Sequence, residues 1–455
     1  MSPTSKRLIF YSCQYIIMYK SIVLLFMFSL FWGSILAQNN VKISLSEAVA
    51  KATRESNWQA LAASQEEVSK LQWQETRTQQ IPSLRVSGQY YYLSDARVSG
   101  LGIGSGSNAN NGSSPQVSQL LLGQVSLNSP VFAGYRVKNQ IEAASLRYQS
   151  QQSNTQFVKE QVALEVVNQF AELYKCQQLL AIINDDIKTA RERIGDFENR
   201  EVNGLVARND LLKVKLALTK LELRQAEIDK NRLVVQHALN LLLKQDKKTV
   251  IDIDINQTQS ERLQAPAIEK GSVRSDLLAL ELQESAAQKE VKVAQSVLYP
   301  TISLVGGYIA FNLKNVLEVT NAMNVGVGLS YDVSNWFKTP KSIQLAKAKS
   351  QVIHQEKEWH NEQIQQQQTE ASLNYDYSLK RQKMVRESLK QAEENNEVVK
   401  DQFENGLATT TDLLEADAQL LEARIQVSLA AAEEAQRFYQ QHFTQGTLLK
   451  SLSKK

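Results

Sequence analysis

Cysteine is nearly absent: Cys13 lies in an apolar leader, and Cys176 is alone in the rest of the chain. A single thiol makes no internal disulfide, so no covalent staple holds the fold. Proline is scarce too, and its placing excludes more than its number. None occurs between Pro130 and Pro266, or after Pro340. An interior proline costs a helix roughly 3 kcal/mol, so both stretches are free to be helical throughout. Beyond the leader no apolar run is long enough to cross a bilayer as a helix. Phosphate loops, nucleophile elbows and HExxH are missing, and His237, His354, His360 and His442 form no metal-type cluster in the sequence. No enzyme chemistry, cofactor or metal is therefore expected.

The leader comes next. Lys6, Arg7 and Lys20 precede "SIVLLFMFSLFWGSILA", which ends at Ala37. Residues 1–37 read as a secretory signal, with Met18 as an alternative start; a retained anchor is the rival reading. Removing it takes three positive charges from a formal +3 and leaves a neutral mature chain. Neutrality argues against nucleic acid as a partner. An exported chain without a spanning helix is either soluble or crosses an outer membrane as β-strands.

The rest of the chain is written twice. "NGLVARNDLL" (203–212) returns as "NGLATTTDLL" (405–414), 202 positions later. "PSLRVSGQYYY" (82–92) returns as "PTISLVGGYIA" (300–310), 218 positions later. The difference falls on a loop-like stretch of the first copy, "SGLGIGSGSNANNGSSP". Each copy starts with a helical pattern (about 44–80 and 272–298). Two segments of period-two alternation follow, near 84–92 with 122–131 and near 302–310 with 325–334. Strands of about ten residues are the length that a tilted strand needs to cross a bilayer. Pro82, Pro130, Pro300 and Pro340 are expected at the helix–strand joints.

Long helices follow. Leu173, Cys176, Leu180, Ile183, Ile187, Ala190, Ile194 and Phe197 step by three and four, as in a coiled-coil seam. In the second copy Val385, Leu389, Ala392, Val399 and Phe403 do the same, with Asn396 in the seam. Asn-Gly ends each incoming helix, since glycine tolerates the left-handed cap. Asn209 or Thr411 is expected to cap the outgoing one. Each phrase is then a hairpin tip. Four membrane-length strands cannot close alone, because open edges in lipid leave backbone groups unpaired and known barrels have at least eight strands. Several copies must pool them. Tyr90, Tyr91, Tyr92, Trp336 and Phe337 are candidates for an interfacial aromatic belt.

On these motifs the chain resembles the TolC-type outer-membrane efflux proteins over nearly all of residues 40–450. The resemblance implies a mainly α fold with a small β part. Each chain would be a duplicated unit of long coiled-coil helices plus four membrane β-strands, and a homotrimer would form a twelve-stranded barrel continued by an α-helical periplasmic tunnel. The expected divisions are signal 1–37, first repeat 38–248 (strand pair about 84–131, tip about 203–210), equatorial segment 249–271, and second repeat 272–455 (strand pair about 301–334, tip about 405–412) with a C-terminal equatorial tail. The implied function is the passive exit duct of a tripartite efflux or type I secretion system, set in outer-membrane lipid. A periplasmic adaptor would link it to an inner-membrane RND or ABC pump.

Carried over by position, Asp412 and Glu415 would form an acidic periplasmic gate. Asn203, Gly204, Leu205, Arg208, Asp210, Asn405, Gly406, Leu407 and Thr410 would meet the adaptor. The family's basic residue of the second tip has no counterpart here, and Arg208 lies in the first tip instead. The competing reading is a coiled-coil structural or adhesive surface protein with no channel, for which the paired strands would have no use.

Overall fold

The structure, a computed structural model, describes residues 40–97, 116–247, 249–253, 273–314 and 317–452. The signal 1–37, the loop 98–115 and residues 254–271 of the inter-repeat segment lie outside the described residues.

The chain begins with β1 (Asn40–Ile43), α1 (Leu45–Glu55) and α2 (Asn57–Thr78). The helical pattern expected over 44–80 is thus split at Ser56. Its hydroxyl accepts from the Gln59 N–H at 3.2 Å, which starts a new helix there. Next come β2 (Ser83–Arg97) and β3 (Gln116–Ala133), then α3 (Arg136–Val202) and α4 (Arg208–Leu242). After β4 (Val250–Ile253) the order returns as α5 (Ser275–Ser296), β5 (Thr301–Leu313), β6 (Leu317–Ser330), α6 (Asn335–Glu404) and α7 (Thr410–Thr444), with a short α8 (Leu448–Leu452) at the end. The 67 residues of α3 and the 70 of α6 each reach about 100 Å at 1.5 Å per residue. No described helix is long and apolar enough to cross a membrane.

The four longer strands form one antiparallel sheet in the order β2-β3-β5-β6, so β3 and β5 join the two hairpins. They are 13–18 residues long, longer than the ten expected. β6 begins earlier than expected and ends at Ser330, where Tyr331–Ser334 turn into α6. Alternation divides the sheet into two faces. Leu84, Val86 and Tyr90 lie beside Leu127, Val125 and Leu121 on one face, and that face continues through Leu304 and Tyr308 to Val327 and Met323. The opposite face carries Arg85, Ser87, Ser126, Gln124, Ser303 and Asn324. Tyr91 therefore points away from Tyr90 and Tyr92, because neighbours in a strand face opposite sides. It leaves the belt expected of all three.

Glycine is required where the sheet is tightest. A Cβ on Gly307 would lie 2.7 Å from the Val125 carbonyl oxygen, and one on Gly134 (φ +60°) would lie 2.6 Å from that of Ser296. Two prolines sit inside elements and not at joints. Pro130 is within β3, where the register slips between Pro130 and Phe132; a bulge tolerates the missing N–H. Pro340 is the sixth residue of α6.

α3 touches α1, α2, α4, α5, α7 and α8, whereas α6 lies against α5 and α7. Three apolar clusters follow the length of α3. The first joins Val162, Val166, Phe170 and Leu173 to α1, the parallel β1–β4 pair and Leu448 of α8. The second joins Cys176, Ile183 and Ile187 to Ile228 and Ile425. The third lies under the hairpin tips, with Phe197, Leu211 and Val214 buried beside Phe403.

Candidate functional site

Both tips are built by the same backbone device. α3 ends with the Leu205 N–H donating to the Arg200 carbonyl at 2.8 Å and the Gly204 N–H to Glu201 at 2.9 Å. α6 ends with Leu407 donating to Gln402 at 2.8 Å and Gly406 to Phe403 at 3.1 Å. These are Schellman pairs, and their glycines hold φ +71° and +74° in open space. Leu205 and Leu407 are left with most of their side chains exposed.

The outgoing helices differ. At the second tip Thr409, not Thr411, is the cap. Its hydroxyl accepts from the Asp412 N–H at 3.2 Å, while the Asp412 carboxylate accepts from the Thr409 N–H at 2.8 Å. This reciprocal box and the Thr409 hydroxyl hold the Asp412 carboxyl below the usual carboxylate range. At the first tip Ala207 occupies the cap position with no side-chain bond, and Asn209 does not cap. Both expected cappers fall one residue or more inside the helix, where their side chains no longer face the free N–H groups.

Of the residues assigned from sequence, Asp210 and Arg208 stay within the first tip. Arg208 pairs with Glu201 at 3.4 Å, and Asp210 pairs with Lys213 at 3.2 Å. Lys213 also donates to the Thr411 hydroxyl at 3.1 Å, which ties the two tips together. Glu415 accepts from Gln419 at 3.3 Å, and Thr410 is buried. Asn203 and Asn405 back-bond to carbonyls of their own helices.

Sequence reasoning missed the layer above. Asp417 of α7 holds Arg193 of α3 and accepts from Asn396 of α6 at 2.9 Å, so three helices meet on one carboxylate. Phe197 stacks on Phe403 at 5.7 Å, with the Arg200 guanidinium over the Phe403 ring. An 830 Å³ groove opens here, edged by Lys213, Arg193, Asp186, Asp417 and Lys400. Asn396 in an apolar seam was the one available signal, since a polar residue there needs a partner.

The tips thus present two exposed leucines on glycine turns, with carboxylates in the first turn of each outgoing helix. Among the described residues no cluster could hold a metal.

Residues 272–440 match the family described as outer membrane efflux protein. None of the curated proteins matches the sequence significantly. The fold is shared with solved outer-membrane proteins at low identity. CusC, described in terms of folding and transmembrane channel formation, matches with a TM-score of 0.74 and 15% identity over 92% of this chain and 95% of its own. The outer membrane protein VceC of Vibrio cholerae matches with 0.72 and 15% over 88% and 96%. The CmeC outer membrane channel of Campylobacter jejuni matches with 0.72 and 15% over 91% and 90%. The second part of the chain thus matches the outer membrane efflux protein family, and nearly the whole chain shares the fold of solved outer-membrane channels.

Proposed function

We propose that three copies of the chain close a twelve-stranded barrel and continue it as a helical periplasmic tunnel. This tunnel is the exit duct of an efflux or type I secretion assembly. The reading rests on one observation: a four-stranded sheet with an apolar face and two strand edges, β2 and β6, that pair with no described strand, running directly into helices of about 100 Å. In lipid each unpaired backbone group costs several kcal/mol, so the edges call for neighbours of the same kind. The divisions 38–248 and 272–455 are two structural repeats flanking an equatorial segment at 249–271, and 1–37 is removed on export.

The chain carries no motif for coupling an energy source, so an inner-membrane RND or ABC pump drives transport. A periplasmic adaptor connects them by docking on the exposed tips, around Leu205 and Leu407. Asp412 and Glu415, repeated by symmetry, place six carboxylates at the mouth, which attracts cations and repels anions. The test is reconstitution. Detergent-extracted protein should migrate as a heat-dissociable trimer and conduct ions in planar bilayers. Asp412→Asn with Glu415→Gln should lower its cation preference. A water-soluble rod that never conducts would end the proposal.

A further inference from the structure

The non-lipid face of the sheet changes character along its length. Reading across β2, β3, β5 and β6 in register, the row nearest the helices but one is Arg85, Ser126, Gly307 and Asn324. Two residues on, it is Ser87, Gln124, Ile309 and Ala322. The next row is Gln89, Leu122, Phe311 and Val319, and the last is Tyr91, Leu120, Leu313 and Leu317. Polar at the helix end, this face is apolar at the far end. Leu120, Leu122, Phe311, Leu313, Leu317 and Val319 are half-buried even within one chain.

The opposite face changes the other way. It is apolar up to Val86, Val125, Tyr308 and Met323, and then reaches Tyr90, Leu121, Asn312 and Glu318. From Ile302 to Ala310 the strand rises about 27 Å, or roughly 20 Å along the membrane normal at a 40° tilt. That comes close to the whole apolar band of an outer-membrane barrel. The row with Asn312 and Glu318 therefore marks the outer edge of the lipid. At that level Tyr90 and Leu121 still face outward, but on β5 and β6 the apolar side chains face inward instead.

Symmetry decides what they face. Twelve strands about 4.8 Å apart and tilted by 40° close at a backbone radius of roughly 12 Å. Large side chains reaching inward reduce the bore to about 12 Å, so each row becomes a ring lined by copies of itself. We propose that these two rows form an apolar collar at the exit of the duct, which passes small ions but slows bulky charged solutes and lets apolar or amphipathic cargo leave. An apolar lining offers a bulky charged solute no polar contacts to replace the water it sheds, and the same surface favours contact with apolar molecules. The collar rests on the trimeric reading above.

Cysteine labelling tests it. The parent carries Ser126→Cys, on the polar wall inside the collar, with buried Cys176 as the background. Intact cells are treated with a charged maleimide too bulky for porins. Labelling of the reporter should be slow, and Leu122→Ser with Phe311→Ser should speed it about tenfold. Leu122→Met with Phe311→Leu should leave it slow. If the serine pair does not assemble, Phe311→Ser alone is read, with several-fold acceleration expected. Fast labelling of the parent, or equal rates in the serine variants, would overturn the collar while heat-dissociable trimers remain. Absence of such trimers in the parent would instead remove the duct itself.

Discussion

Residues 202 apart sit in corresponding places of the two copies, yet their surroundings differ. α3 buries Val162, Val166, Phe170, Leu173, Ile183, Ile187 and Phe197, whereas α6, slightly longer, buries Thr339, Ile364, Ala371 and Ser378. Leu373, Tyr377, Met384 and Trp359 on α6 remain exposed. The cause is position: α3 is covered by six helices and α6 by two. Duplication has copied order and joints but not environment. The uncovered side of α6 is the face that a neighbouring copy would cover in the trimer proposed above.

The largest effect should therefore be asymmetric. Ile183 is fully buried, and Ile183→Ala should cost about 3 kcal/mol by loss of contacts and creation of a cavity. Its counterpart Val385 is half-buried, and Val385→Ala should cost about 1 kcal/mol or less. Thermal unfolding of the detergent-solubilised protein compares them. Equal losses would mean that α6 is as fully covered in the assembly as α3 is within its chain.

A second pair separates by pH. Glu160 of α3 is 5% exposed, and one carboxylate oxygen has no hydrogen-bond partner. Burial and then the charge of Asp276 push its pKa up to about 7, against the opposing pull of Arg274. Arg274 itself is committed to Asp276 at 2.7 Å and lies over the Phe157 and Phe443 rings. His360 of α6 contacts the same aspartate at 2.8 Å. A raised carboxyl pKa means that the folded chain binds a proton the unfolded chain has released. Stability thus falls as pH rises from about 4.5 to about 7 and is flat above. Glu160→Gln should remove this loss, gaining roughly 2–3 kcal/mol at pH 8 and nothing at pH 4. Glu362, its exposed counterpart, should show no such gain on Glu362→Gln. A pH-independent difference between Glu160→Gln and the parent would refute the assignment.

How much of this could be read beforehand depends on range. Period-two segments and Asn-Gly tips are local signals: β2, β3 and β5 overlap the alternating segments, β6 begins and ends earlier in the chain than its segment, and Gly204 and Gly406 hold the left-handed turns. The seam positions Leu173, Ile183 and Phe197 are buried as their spacing implies. Capping was misread because one residue decides which N–H groups are free, and Thr409 and Thr411 look alike in sequence. The Arg193–Asp417 pair and the burial of Glu160 are set by helices far apart in the chain, and the β3–β5 pairing by strands that are. No local pattern reports these. The tip assignments Asn203, Gly204, Leu205 and Asn405, Gly406, Leu407 stay proposals of function, although their turn geometry is plain.

Smaller effects should come from the caps. Thr409→Ala removes the box and should cost about 1 kcal/mol, seen as faster hydrogen exchange at the amides of 410–412. Ala207→Thr tests the same point in reverse. With Asp210 already three residues on, it should install the missing box and slow exchange at 208–210, gaining up to about 1 kcal/mol. If neither change alters exchange, the caps are not what holds the tips.

The smallest contrast is at the other ends of the hairpins. α4 closes with Lys244 at φ +48°, the Gln245 N–H donating to the Asn240 carbonyl at 2.9 Å. α7 closes with Gly446 at φ +68°, and Thr447 donates to His442 at 2.9 Å. The two positions are again 202 apart and use the same turn, but the first copy holds it with a side chain in the left-handed region, at roughly 1 kcal/mol. Lys244→Gly relieves that strain and adds entropy to the unfolded chain, so the net gain should be at most about 0.5–1 kcal/mol. Gly446→Ala should go the other way and by more, because its Cβ would also meet Arg274 at 3.3 Å, where the guanidinium is already held by Asp276. Opposite signs in the unfolding midpoints would confirm one turn in two environments. A loss from Lys244→Gly would mean that the lysine side chain contributes more to stability than its backbone strain removes.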